Sequence, residues 1–217
     1  LKRKGRSKMK KVIIVGAGGL GRMIYSWLPD FLGNENDWET IGFISDRLDV
    51  LDGYDYDTPI ISTIQDYFPE EDHVLVMAIA DPKAKLAVAE ELEKRGARFI
   101  NLIHPTALVG KNVKMGKGCV VSPRAVLTCD IDIGDFVMFN IGVTIGHDVF
   151  IGNGSTINSH SDVTGCAALE TGVFLGSHAV ITPSVKVKEF AKIGAGSVVI
   201  KQVKPEVTVF GIPAKQV

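Results

Sequence analysis

A chain of 217 residues, 46% of them hydrophobic, has the apolar material for one large soluble domain or two modest ones. Its 24 basic and 25 acidic residues leave a net charge of −1, so no overall field recruits nucleic acid or an anionic membrane. No apolar run reaches the roughly 18 to 20 residues of a membrane-spanning helix, and three cysteines without CxxC spacing suggest neither a disulfide framework nor a zinc site and fit a reducing cytoplasm.

The one concentrated charge run is Lys2, Arg3, Lys4, Arg6 and Lys8, with no apolar stretch behind it to make a signal peptide. Residues 1–8 read as a tag or a disordered basic arm ahead of Met9. Residues 11–15 form an apolar strand that runs into Gly16-Ala17-Gly18-Gly19-Leu20-Gly21 and a helical stretch through Leu28. A strand, a glycine turn and a helix N-terminus together suit a phosphate, because the turn lets the backbone approach and the helix end offers free N–H groups.

A second strand over 40–44 ends in Ser45-Asp46, near the distance at which an acidic residue reaches a ribose hydroxyl. Between Gly53 and Pro69 the pattern reads as loop, with Thr63 capping a short helix over 64–68. A third strand over 73–79 leads into Pro82 and a helix to about Arg95, and 99–102 reads as a fourth strand. The alternation implies a small parallel sheet over 9–102, with ligand contacts at Gly18, Gly19, Leu20, Ser45, Asp46 and Ile79 beyond the strand ends. A nicotinamide-dependent oxidoreductase is the rival for such a start. Only about one mononucleotide-binding half precedes Ile103, however, and no further domain for hydride chemistry follows.

From Ile103 an apolar residue recurs at every sixth position, through Val109, Met115, Val121 and Leu127 and on without a break to Val199. Period six is neither the strand's two nor the helix's 3.6. The next position is often Gly, and the fourth after the apolar residue is small or β-branched, as a crowded interior demands. This pattern resembles the hexapeptide-repeat acyltransferases, whose fold is a left-handed parallel β-helix with three hexapeptides to the coil. Residues 18 apart then stack, and 103–217 forms the second domain. The ending Gly211-Ile212-Pro213-Ala214-Lys215 resembles that family's close near the CoA site.

A Rossmann-like unit joined to an uninterrupted hexapeptide helix resembles the PglD and NeuD type of sugar acetyltransferase, and the resemblance spans the chain after Met9. It implies acetyl-CoA as co-substrate, a nucleotide-linked amino sugar as acceptor, and a homotrimer with active sites between subunits. The chemistry falls on Asn140 to Asp148. His147 leaves the core two places after Ile145, and an imidazole exchanges protons near neutrality. The resemblance makes His147 the general base and Asp148 its acidic helper. Gly165, one coil along, offers a stacked N–H for the thioester oxygen. Thr156, Ser177, Ala195 and Lys215 are implied as further CoA contacts, Thr156 from a neighbouring chain.

His160 and His178 are also 18 apart and stack without a third ligand, so no metal site is expected. His104 reads as a linker residue and His73 as the cap of a strand. Cys166, beside Gly165, has no evident base and reads as a packed small hydrophobe. O-acetylation of a sugar such as sialic acid is the alternative reaction, and a non-catalytic nucleotide-sugar-binding trimer is the alternative class.

Overall fold

The computed structural model describes residues 9–33 and 38–217, so the basic run at 1–8 lies outside the described residues. The chain divides into two compact units. One holds the residues up to 79 together with 88–100, and the other holds 80–87 with 101–217. The expected split at 102/103 follows chain order, whereas Lys85 and Leu86 pack with the repeat.

In the first unit β1 (Lys10–Val15), α1 (Gly19–Leu32), β2 (Trp38–Ile44), β3 (Ile60–Ser62) and β4 (His73–Met77) precede α2 (Pro82–Lys94), whose first turns belong to the second unit. The sheet order is β3-β2-β1-β4, parallel throughout. Val12, Ile13, Ile14 and Val15 are all fully buried, which is why β1 reads as a continuous apolar run. Helix α1 buries Ile24 and Leu28 beside Gly21, where any Cβ would collide with the Gly16 carbonyl.

Three expectations for this unit are corrected. The stretch taken as loop contains β3, too short to show a period of two. The helix over 64–68 is a turn. Thr63 Oγ1 does accept the Asp66 N–H at 3.0 Å, but the Ile64 N–H is taken by the Asp46 carboxylate at 2.9 Å and no further turn follows. The fourth strand is absent as well. Phe99 makes one isolated bridge to Leu75, and Leu102–Ile103 pairs with Val120–Val121 in the repeat. Asn101 already belongs there, donating to Gly116 O at 2.7 Å and accepting the Cys119 N–H at 2.8 Å.

The second unit is a parallel β-helix. Two-residue strands fall on three faces, and each pairs with the strand 18 residues away. Met138–Phe139 against Thr156–Ile157 lies on one face, Thr144–Ile145 against Asp162–Val163 on the next, and Phe150–Ile151 against Ala168–Leu169 on the third. The sixth-position residues fill the interior from Val121 to Val199. Ile103 and Val109 are 43% and 41% exposed, because the first coil has none beneath it. The small position admits serine where a hydroxyl finds a carbonyl: Ser155 Oγ donates to Glu170 O at 3.2 Å and Ser161 Oγ to Gly176 O at 2.9 Å.

Ile157, enclosed between Phe139 and Leu175 in this stack, should cost about 2 to 5 kcal/mol when cut to alanine. Ile103→Ala, at the open end, should cost much less. Urea titration reads both as shifts of midpoint at constant slope.

Candidate functional site

The carboxyl ends of β1, β2 and β4 bring Gly18, Gly19, Leu20, Ser45, Asp46 and Ile79 to one edge of the first unit's sheet, where β1 lies between β2 and β4. Chain order reverses at that point, which is where open parallel sheets hold ligands. Gly18 is the N-cap of α1 and carries no capping side chain, so no side chain closes the helix end. Space around Gly18 and Gly19 is open. Asp46 spends one carboxylate oxygen on the Ile64 N–H, and Ser45 is buried with its hydroxyl against Arg47, donating to its carbonyl at 3.1 Å. A cavity of about 410 Å³ in this unit opens elsewhere, between Tyr25, Leu28 and Pro29 of α1 and Trp38 and Thr40 at the start of β2.

In the β-helix, His147 and Asp148 turn the corner between the Thr144 face and the Phe150 face. Their side chains are 62% and 59% exposed, and His147 Nδ1 lies 2.7 Å from Asp148 Oδ2. A carboxylate only accepts, so the shared proton sits on Nδ1, and in the neutral ring Nε2 is the nitrogen with the free lone pair. Asp148 holds a left-handed φ of 57°, a conformation that short polar side chains tolerate. One coil on, the Cys166 N–H donates to His147 O at 2.9 Å. Gly165 lies over the imidazole, and a Cβ there would stand 2.7 Å from Nε2, so any larger residue would push the ring from this position.

The Gly165 N–H has no acceptor among the described residues. The same holds for Ser177 and Ala195, which occupy the same place in the repeat, two after the inward residue. At two other such positions the N–H is closed from the next coil: Lys117 donates to Asp135 Oδ1 at 2.9 Å and Asp135 to Asn153 Oδ1 at 2.8 Å. Below His147, Asn112 and the Cys129 thiol hold the Asp130 carboxyl under the usual carboxylate range, while Asp130 pushes that thiol up.

The remaining expected contacts do not gather at this corner. Ser177 and Ala195 lie on the corner between the Thr156 face and the Thr144 face, and Lys215 is exposed in Ala214–Gln216, paired with Phe210. Thr156 needs correction as a CoA contact. It is 1% exposed, its hydroxyl donates to Ala80 O at 2.7 Å, and it accepts from Lys85 Nζ at 2.8 Å. Lys85, which sequence reasoning passed over, also donates to Phe136 O and Ser155 O at 3.2 and 3.3 Å. Three acceptors match three ammonium protons, yet burial pulls this lysine down to about 7.

His160 and His178 stack with ring centroids 5.1 Å apart, as their spacing implies. His73 is buried against Tyr67 Oη at 2.8 Å, and His104 is buried beside Thr106. Among the described residues, metal-ligating groups come together in threes at two places, Glu70 with Asp72 and His73, and His147 with Asp148 and Cys166. Cys166 therefore does have a base beside it, 18 residues beyond Asp148. The repeat arithmetic that found Gly165 contained this neighbour too.

Residues 11–92 match the family model described as the PglD N-terminal domain. A GDP-perosamine N-acetyltransferase of Escherichia coli is 32% identical over 120 residues, 55% of this chain and 54% of that protein. A serine acetyltransferase of Buchnera aphidicola is 35% identical over 114 residues, 52% of this chain and 36% of that protein. The chain thus spans about half the length, or less, of the curated relatives it matches. The acetyltransferase domain of PglB from Neisseria gonorrhoeae superposes with a TM-score of 0.87 at 24% identity, over 96% of this chain and 100% of that one. PerB from Caulobacter crescentus, solved with CoA and GDP-perosamine, superposes with a TM-score of 0.83 at 24% identity, over 95% and 96%.

Lys85 yields a pH dependence whose sign follows from its folded value of about 7 against an ordinary 10.5. Between these values the unfolded chain binds a proton that the folded chain has released, so stability rises with pH across that window and is level on either side. Urea midpoints at pH 7 and 9.5 should show the wild type gaining on Lys85→Met as pH rises.

Proposed function

We propose that the chain, whose N-terminal unit matches the PglD N-terminal domain and whose fold superposes on the acetyltransferase domain of PglB, is an acetyl-CoA-dependent N-acetyltransferase of the PglD/NeuD type acting on a nucleotide-linked amino sugar. The observation that carries this reading is the His147–Asp148 pair set against the unpaired N–H of Gly165. The acceptor amine attacks the thioester carbonyl while Nε2 of His147 takes a proton from the amine nitrogen. Asp148, accepting from Nδ1, fixes the tautomer and stabilises the imidazolium as it forms. The carbonyl oxygen gathers negative charge, and the Gly165 N–H meets it. The C–S bond then breaks, and the proton on Nε2 passes to the departing sulfur. Transfer is direct, so no acyl-enzyme forms.

The nucleotide of the acceptor is assigned to the edge formed by Gly18, Gly19, Leu20, Ser45, Asp46 and Ile79. The relative from Escherichia coli acts, by its name, on GDP-perosamine, a sugar of the proposed class. CoA is assigned to the unpaired N–H groups of Ser177 and Ala195, with Lys215 for a phosphate. These lie on a different corner from His147, so one chain cannot supply both walls. Association of copies, a trimer in this reading, places one chain's His147 corner against the next chain's Ser177 corner. No helix among the described residues is long and apolar enough to cross a membrane, which suits a soluble cytoplasmic substrate pair.

Thiol release from acetyl-CoA, followed across UDP-, GDP- and dTDP-linked amino sugars, tests the reading. Turnover with one of them, reduced about 10²- to 10⁴-fold in kcat/KM by His147→Ala, is the expected result. An unchanged rate in that variant would remove His147 from the chemistry, and turnover with sugar hydroxyls alone would replace the amine as acceptor. Gly165→Ala should lower kcat more than it raises KM, because its methyl would displace the imidazole.

A further inference from the structure

Direct transfer leaves Cys166 unused, although it stands on the rung above Asp148, exposed, at a left-handed φ of 60°. Its N–H is tied to His147 O at 2.9 Å, so the sulfur cannot drift from that corner without breaking a rung of the β-helix. The sulfur, an imidazole nitrogen of His147 and a carboxylate oxygen of Asp148 all lie within 4.8 Å of one another. The second cluster, Glu70, Asp72 and His73, carries less. His73 is buried against Tyr67, and Asp72 faces Lys11 at 3.6 Å.

We propose that His147, Asp148 and Cys166 form a binding site for a soft divalent transition-metal ion such as Zn²⁺, and that the ion, when bound, switches the base off. Thiolate and imidazole are the ligands Zn²⁺ favours, and three protein ligands with water in the fourth place are a common coordination for it. Ligand atoms at about 2.0 to 2.3 Å from one tetrahedral ion stand roughly 3.5 Å apart, a spacing the three groups, already within 4.8 Å of one another, have to adjust to by side-chain rotation. They are free to do so. All three side chains are exposed, and Gly165, with no side chain of its own, puts nothing between the ring and the sulfur. On binding, Cys166 gives its proton to solvent, and the ion takes up donors of the corner that has to receive the amine proton. The ion is an inhibitor here and not a resident cofactor. Only its effect on turnover rests on the acetyltransferase reading; the binding does not.

Cobalt(II) reports the site directly, through charge-transfer absorption from a bound thiolate. Titration of the full chain with Co²⁺ alone should produce that band, and Zn²⁺ should bleach it. Cys166→Ser should abolish it, and Cys129→Ser should keep it. Serine is tolerated at this rung, since Ser184, one coil further, holds the same left-handed conformation with a φ of 62°. Loss of even an outer-shell partner weakens metal binding about 10- to 100-fold, so loss of a direct ligand should raise the Zn²⁺ concentration needed for half-inhibition at least that much. Activity without metal should be unchanged in Cys166→Ser. No band, a band that survives Cys166→Ser, or one lost only in Cys129→Ser would overturn the proposal. A band without acetyl transfer to any acceptor would overturn the functional reading and leave the metal site standing; transfer without a band would do the reverse.

Discussion

Everything in the second unit depends on the ladder of backbone hydrogen bonds that ties each coil to the next. Thr144 donates to Ser161 O at 3.0 Å, Gly146 to Val163 O at 2.7 Å, and the pattern repeats at every rung. A register of 18 is thereby imposed on all side chains at once, and each residue's neighbours are set by its number. The N–H two places after the inward residue, where that position is not proline, is not used by the ladder. Where the next coil carries Asp135 or Asn153 above it, a side chain closes that group. Above His147 stands Gly165, which has no side chain, and that absence does two things. It makes room for the imidazole and it leaves a donor beside the base.

Such regularity explains what could be read from the sequence. The interior from Val121 to Val199, the stacking of His160 on His178 and the meeting of His147 with Gly165 all follow from counting, because the ladder admits no slippage. The first unit is less regular and was less legible. Its β1 and glycine turn announce themselves by composition, but β3 has only three residues, and the turn after Thr63 is held by Asp46, 18 positions earlier and just beyond β2, which accepts the Ile64 N–H. That is a tertiary event with no local signal. Phe99 and Leu102, close in sequence, belong to different sheets because Asn101 has already joined the first coil.

Lys85 shows the same limit in energetic terms. In the sequence it is one of several lysines on an amphipathic stretch, and the ordinary expectation is a solvated head. Instead its ammonium is buried against Phe136 O, Ser155 O and Thr156 Oγ1. Thr156 completes that arrangement by donating onward to Ala80 O, so a residue that resemblance would give to CoA is committed to the fold of its own chain. The three acceptors offset only part of the cation's desolvation, which still pulls the lysine down to about 7. The neighbouring Cys119 thiol, pushed up to about 12 by burial, stays neutral and adds no charge to offset the cation.

The ladder is also indifferent to chemistry. It sets Gly165 beside His147, where the reaction as proposed has use for it, and by the same step of 18 it sets Cys166 above Asp148, where that reaction has none. A side chain at 165 would press on the imidazole at Nε2, and with glycine there nothing screens the ring from the sulfur. The openness that admits a substrate amine to that corner therefore admits any electrophile of similar reach. A metal ion with an affinity for sulfur and nitrogen is the electrophile that three mixed donors select best, since each of them alone is a common surface group and only their stacking on adjacent coils makes a site.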